Sequence, residues 1–148
     1  MAMTPQLRAE QAAQAMMTAD NASQRLGMQL TAISAGAATL TMRITDDMLN
    51  GHKICHGGYI FTLADSAFAF ACNSYNKLTV AQQNQITYVT PGKAGELLTA
   101  TACETALSGR SGVYDVMVRG EDGRTVATMR GLSRTIKGQL FAEDGEDA

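Results

Sequence analysis

The sequence has little of what a metal centre, a disulfide framework or a membrane span requires. Among its 148 residues there are three cysteines, Cys55, Cys72 and Cys103, an odd number with no CxxC spacing. That pattern argues against disulfide pairing and structural zinc, and it sets the expectation of a reducing cytoplasm. Only two histidines are present, His52 and His56, and the stretch "NGHKICHGG" around them offers no convergent carboxylate, so no metal ion is expected. The longest apolar run is about 13 residues and contains Asp65, short of the roughly 20 needed to cross a bilayer. Arg8, Glu10 and Asp20 interrupt the N-terminal stretch, which has no apolar centre and is not expected to be a secretory leader. A net charge of -2 gives no bias toward nucleic acid or an anionic membrane, and neither is expected as a partner. Seven of the 12 basic residues lie from Lys93 onward, and two readings of that bias stand: solvated strand faces, or a site for an anionic ligand.

What is present fits one domain over residues 1–148, long enough to bury a core. Thr4 and Pro5 form a helix start and Gly27 a stop, so residues 5–26 read as one or two amphipathic helices, an N-terminal helical segment over 1–26. The period then changes to two. Leu40, Met42 and Ile44 alternate with polar residues in a half-buried strand, with "GMQLTAISAG" as its hairpin partner turning at Ala35 and Gly36. Residues 57–74 return to helical spacing, with Ile60, Leu63, Ala64, Ala67, Phe68 and Ala71 on one stripe and apolar flanks, the signature of a buried central helix. Strands follow. Pro91 and Gly92 read as a type II turn and Asp122 and Gly123 as a tight hairpin, while Gln82, Gln83, Asn84 and Gln85 break the alternation of their strand. Residues 138–148, ending in "AEDGEDA", read as a disordered acidic tail. The sum is an α+β fold, one antiparallel sheet wrapped around one helix.

Asp65 is the anomaly in that helix. Its neighbours at three and four residues are Phe61, Thr62, Phe68 and Ala69, none of them basic. Desolvation by the two phenylalanines would raise its pKa and make it a base suited to neutral pH. The competing reading is a structural carboxylate bonded to Thr62, Ser66 or backbone. Gly57 and Gly58 open the helix, where unpaired N–H groups and the dipole favour a developing oxyanion, or where glycines merely permit the turn. Eight residues of helix separate Gly57 from Asp65, about 12 Å, so one chain cannot direct both at the same atom. If both serve one reaction, the site lies between two copies. His56 is the better placed histidine for a hydrogen-bonding role, and Asn50 offers an amide or simply a turn. Cys55 has no base at a recognisable spacing.

The stretch "NGHKICHGGYIFTLADSAFAFACNS", followed by "ITYVTPGKAGELLTATA" and "SGVYDVMV", resembles the hotdog-fold acyl-CoA thioesterases of the phenylacetic acid degradation type over about residues 27–136. The resemblance implies a sheet of five to six strands around the long helix and hydrolysis of phenylacetyl-CoA or hydroxyphenylacetyl-CoA to free acid and CoA, without a cofactor. It implies a homodimer as the smallest active unit within a homotetramer. Asp65 takes the role of nucleophile or general base, Gly57 that of oxyanion donor from the facing subunit, and Asn50 and His56 line the thioester pocket. Gly58, Arg110 and Arg134 are the candidates for substrate binding, the arginines for CoA phosphates. Some relatives carry Ser or Thr where this chain has Ala81, which leaves three readings of the water's support: Thr79 replaces that hydroxyl, Gln82 does, or Asp65 works without a partner. Two other classes compete: a dehydratase or hydratase of acyl thioesters using His56 as base, and an acyl-CoA-binding regulator with no turnover.

Overall fold

The alternating and helical periods of the sequence separate cleanly in the structure, a computed structural model that describes residues 2–143. Helix α1 spans Pro5–Ala19 and short α2 spans Asn21–Arg25; β1 is Gln29–Ser34 and β2 Ala37–Arg43. The long helix α3 is Gly57–Cys72, followed by β3 Thr79–Tyr88, β4 Leu97–Ser108, β5 Ser111–Arg119 and β6 Thr125–Thr135. Thr4 caps α1, its Oγ1 accepting from the Leu7 N–H at 3.1 Å. Gly36, at φ +77°, makes the β1–β2 turn that a side chain would strain. No described helix is long and apolar enough to cross a membrane.

The six strands form one sheet in the order β1-β2-β4-β5-β6-β3, each neighbouring pair antiparallel. The sheet wraps α3. Ile60, Leu63, Ala64, Ala67, Phe68 and Ala71 are all within 3% of full burial, against Leu40, Met42, Leu98, Ala100, Val116 and Val118 from the strands. A buried Leu or Phe contributes about 1.5–3 kcal/mol over an exposed one, so Ile60, Leu63 and Phe68 each stabilise the fold on that scale. β3 lies at the sheet edge and pairs only with β6, with a bulge between Ala81 and Gln83. The bulge resolves the run of amides: Gln82, Gln83 and Gln85 are exposed, while Asn84 turns toward the helix.

Two expectations need correction. Gly92 does not take the positive φ of a type II turn. It is buried, its carbonyl accepts from the Cys55 N–H at 2.9 Å, and an added Cβ would sit 2.9 Å from Ile44, so the glycine serves close packing. Nor are residues 138–143 unstructured. Asn76, buried at φ +60°, accepts from the Leu140 and Phe141 N–H groups and donates to the Phe141 carbonyl, while Glu143 pairs with Arg8 at 2.7 Å. Composition showed the charge of that tail but not the buried amide that ties it down. The rest of it, residues 144–148, lies outside the described residues.

Candidate active site

His56 starts α3. Its Nδ1 accepts from the Gly58 N–H at 3.0 Å, satisfying one of the first-turn donors and leaving the proton of a neutral ring on Nε2. The Tyr59 N–H is taken by the His56 carbonyl at 3.0 Å. For the Gly57 N–H no described residue supplies an acceptor. Asn50 braces the preceding loop, its Oδ1 accepting from the His52 N–H at 2.9 Å, and no described residue bonds its Nδ2. Asn50, Gly57, Ile60, Tyr88 and Gly92 line one open cavity of about 340 Å³. Tyr88 closes over the helix start: its hydroxyl donates to the Gly57 carbonyl at 2.9 Å, and a Cβ on Gly57 would lie 3.0 Å from its ring. A Cβ on Gly58 would likewise crowd His56 Nδ1 at 3.2 Å. Both glycines are therefore fixed by close approach, since neither has positive φ.

Asp65 lies two turns further along, half-buried, in a second cavity of about 340 Å³ lined by Met16, Phe68, Ala69, Cys72, Leu78 and Leu140. Burial raises its pKa, opposed by one hydrogen bond, from Asn84 Nδ2 to Asp65 Oδ1 at 2.8 Å. Neither hydroxyl proposed as its structural partner reaches it: Thr62 donates back to the Gly58 carbonyl, and Ser66 bonds Ser23. Ala81 lines this cavity too and brings no hydrogen-bonding side chain, and Thr79 Oγ1 is engaged with the Lys77 carbonyl. Gln82 is exposed on the bulge.

The Gly57 and Asp65 groups thus share one helix but face separate cavities, as the eight-residue spacing required. Cys55 is buried and its thiol is pushed up to about 11, by burial first and the charge of Glu96 second, which makes it a poor nucleophile. No cluster of three metal-ligating side chains occurs among the described residues. Arg110 and Arg134 are exposed at the β4–β5 hairpin end of the sheet, where Arg134 stands opposite Ser111; neither lines either cavity. A larger concavity, about 790 Å³, lies elsewhere, over β3 to β6. It holds the Asp115–Arg130 ion pair and none of the expected site residues.

Sequence reasoning missed Tyr88, Met16 and Leu140, and marked Asn84 only as one of four amides that break the alternation of their strand. Asn84 had a signal, since it stands two residues before Ile86 and four before Tyr88 and so shares their face. Leu140 and Met16 had none, because only the fold brings both chain ends over α3.

Comparison with known proteins agrees with this fold. The family profile of the Thioesterase superfamily matches residues 52–127, just over half of the chain. The acyl-coenzyme A thioesterase PaaI of Escherichia coli is 43% identical over 136 residues, 92% of this chain and 97% of that protein. The solved structure of the E. coli PaaI protein from the phenylacetic acid degradation operon superposes with a TM-score of 0.90 at 42% identity, covering 92% of this chain and 99% of the other. A hypothetical thioesterase of Streptococcus pneumoniae solved with coenzyme A has a TM-score of 0.72 at 26% identity, covering 76% of this chain and 90% of the other. The sheet, the helix it wraps and these likenesses lead to one assignment: the chain belongs to the thioesterase superfamily, as a hotdog-fold member of the PaaI type.

Proposed function

We propose that this protein hydrolyses acyl-CoA thioesters, phenylacetyl-CoA or a hydroxylated relative, to the free acid and CoA. The observation that carries this is the pairing of an otherwise unneutralised, half-buried Asp65 with a free Gly57 N–H on one helix. Hydrolysis asks for those two groups: a base for water and a donor for the carbonyl oxygen. In the first step Asp65 takes a proton from water as the water oxygen bonds to the thioester carbon, and the carbonyl oxygen becomes an oxyanion on the Gly57 N–H of a second copy. Collapse of that intermediate breaks the carbon–sulfur bond, and the proton passes to the departing CoA sulfur. Water, one base and one donor complete the balance, so the reaction calls for no cofactor.

The apolar lining of the Asp65 cavity, Met16, Phe68, Leu78 and Leu140, suits a flat aryl group beside the thioester. The two-copy site follows from the separation of the two groups, and the unpaired outer edge of β3, next to Asn84, is where a second copy would bring its helix start. We extend this dimer to a homotetramer in the cytoplasm. CoA phosphates would take Arg110 and Arg134, exposed cations without an ion-pair partner among the described residues; binding of coenzyme A by the S. pneumoniae relative supports that ligand. His56 as a hydratase base gains no support, because its Nδ1 is committed to the Gly58 N–H.

The test is release of free CoA thiol from a panel of acyl-CoAs by the wild type and by Asp65→Asn. Turnover of an aryl-acetyl-CoA that falls by about 10²–10⁴-fold in the variant is expected, the range for loss of a general base. Hydration without thiol release, or an active Asp65→Asn, would reject the reading. A single turnover in oxygen-18 water separates direct water attack, which labels the product acid at once, from a covalent anhydride, which labels Asp65 first.

A further inference from the structure

Asp65 has one hydrogen-bond donor, and that donor is built at a cost. The Asn84 amide gives Nδ2 to Asp65 Oδ1 at 2.8 Å, an orientation that follows because an ionised carboxylate only accepts. Its other end, Oδ1, is buried with no partner among the described residues. Its register partner on β6 is Gly131, where a Cβ would come within 2.8 Å of the Phe68 ring and 2.9 Å of Asn84 Oδ1, so a glycine makes room for the amide. A residue retained for packing alone would not be an amide with one end orphaned; leucine would fill the same volume without the penalty. No described residue bonds Asp65 Oδ2.

We propose that Asn84 is the positioning residue of this site: it fixes Oδ1 of Asp65 so that Oδ2 faces the attacking water, the task for which Ala81 has no hydroxyl. The Asn84 N–H bonds the charged form of Asp65 more strongly than the neutral form and so opposes the rise in pKa that burial causes. Few other ionisable groups face this carboxylate. Cys72 shares the cavity and stays protonated, its thiol pushed up to about 12, chiefly by burial. Asp20, which caps the start of α2, is linked to α3 through Ser23, whose hydroxyl donates to Asp20 at 2.6 Å and meets Ser66 at 2.9 Å. Met16 from α1, Gly131 from β6 and Leu140 from the C-terminal segment carry no charge.

The role rests on the thioesterase reading, and two measurements separate their failures. In Asn84→Leu the thermal midpoint below pH 4, where Asp65 is protonated, should equal or exceed that of the wild type, while at pH 7 kcat falls about 10–100-fold, the loss of one hydrogen bond to a charged group, with KM nearly unchanged. The acid limb of kcat/KM should move to higher pH, because the neutral carboxyl is no longer disfavoured. Adding Ala81→Ser to Asn84→Leu should recover part of kcat. A carbon-13 titration of the Asp65 carboxyl should move in the same direction in Asn84→Leu, a readout that needs no substrate and stands even if the wild type hydrolyses no acyl-CoA. An unchanged Asp65 titration and an unchanged pH limb would overturn the role, and so would a loss of kcat accompanied only by a lower thermal midpoint.

Discussion

The two ends of the working stretch of α3 are opposites. At Gly57 the helix offers backbone: an unpaired N–H, two glycines pressed against Tyr88 and His56, and an open loop held by Asn50. At Asp65 it offers a side chain: a carboxylate with raised pKa, apolar walls and one amide partner. Each end lacks what the other has. A straight helix holds them about 12 Å apart, so further folding of the same chain cannot bring them together. In the dimer we propose, a second copy related by a two-fold axis would bring each end to the partner's opposite end, and one stretch of sequence would then serve two sites.

The largest expected effect breaks this complementarity directly. Asp65→Asn should lose about 10²–10⁴-fold in kcat. Gly57→Pro should lose about 10²–10³-fold, because proline removes the N–H that the oxyanion needs. Proline fits the backbone there, since His56 before it is extended at ψ 131° and the first helical position tolerates it. Both Gly57→Pro and Gly57→Ala crowd Tyr88, so the difference between them isolates the N–H. Each variant alone is nearly dead, yet co-expressing Asp65→Asn with Gly57→Pro should restore about a quarter of wild-type activity per chain, because half of randomly formed dimers are mixed and each mixed dimer holds one intact site. No recovery in purified mixed dimers would refute the shared site.

Smaller effects sharpen each half separately. Leu140→Ala should widen the Asp65 cavity and raise the kcat/KM of a bulkier acyl-CoA relative to phenylacetyl-CoA by about 10-fold, the scale of one or two methylenes in a pocket. An unaltered ratio would move the acyl group elsewhere. Tyr88→Phe removes the hydroxyl from the Gly57 carbonyl, a half-exposed bond. It should cost at most about 1 kcal/mol of stability by denaturant unfolding and a few-fold in kcat, with the Asp65 acid limb unmoved.

How much of this was legible in the sequence follows the same division. The order of helices and strands could be read because the apolar period changes from 3.6 at Ile60, Leu63 and Ala67 to two at Leu40, Met42 and Ile44. Asp65 could be found as a carboxylate without a local partner, and the 12 Å argument required only the rise of a helix. Its actual partner was harder to assign: Asn84 lies nineteen residues on, its parity with Ile86 and Tyr88 marks only the face it shares, and the bulge between Ala81 and Gln83 breaks the alternation that would have traced that face back along the strand. Gly92 misled for a similar reason. A glycine after proline has the same letter whether it bends the chain or lets Ile44 and Cys55 approach, and only the packing tells them apart. The C-terminal segment misled by composition, since its acidic residues hid the contacts of Leu140, Phe141 and Glu143 with Asn76 and Arg8.

The smallest effect concerns stability, and it distinguishes the two halves by pH. Asp65 ionises at higher pH in the folded protein than the unfolded value near 3.9, because burial outweighs the Asn84 hydrogen bond. Below the unfolded pKa the group is protonated in both states and costs nothing. As pH rises through the interval between the two values the folded state resists ionisation, and stability is lost; above the folded value the loss is complete. Asp65→Asn removes that loss, so the inactive variant should melt slightly above the wild type at pH 7, and the gap should close as the pH is brought below 4. Ion-paired carboxylates such as Asp115 and Glu143 lose their stabilisation in acid equally in both proteins and cancel in the difference. Gly57→Ala meets only the Tyr88 ring and hydroxyl, a phenol that burial pushes above its usual range and that stays protonated from acid to pH 7, so its difference from the wild type should be independent of pH. A gap for Asp65→Asn that is equally flat would mean that the carboxylate is not held against its hydration, and the contrast between the two halves of α3 would lose its electrostatic basis.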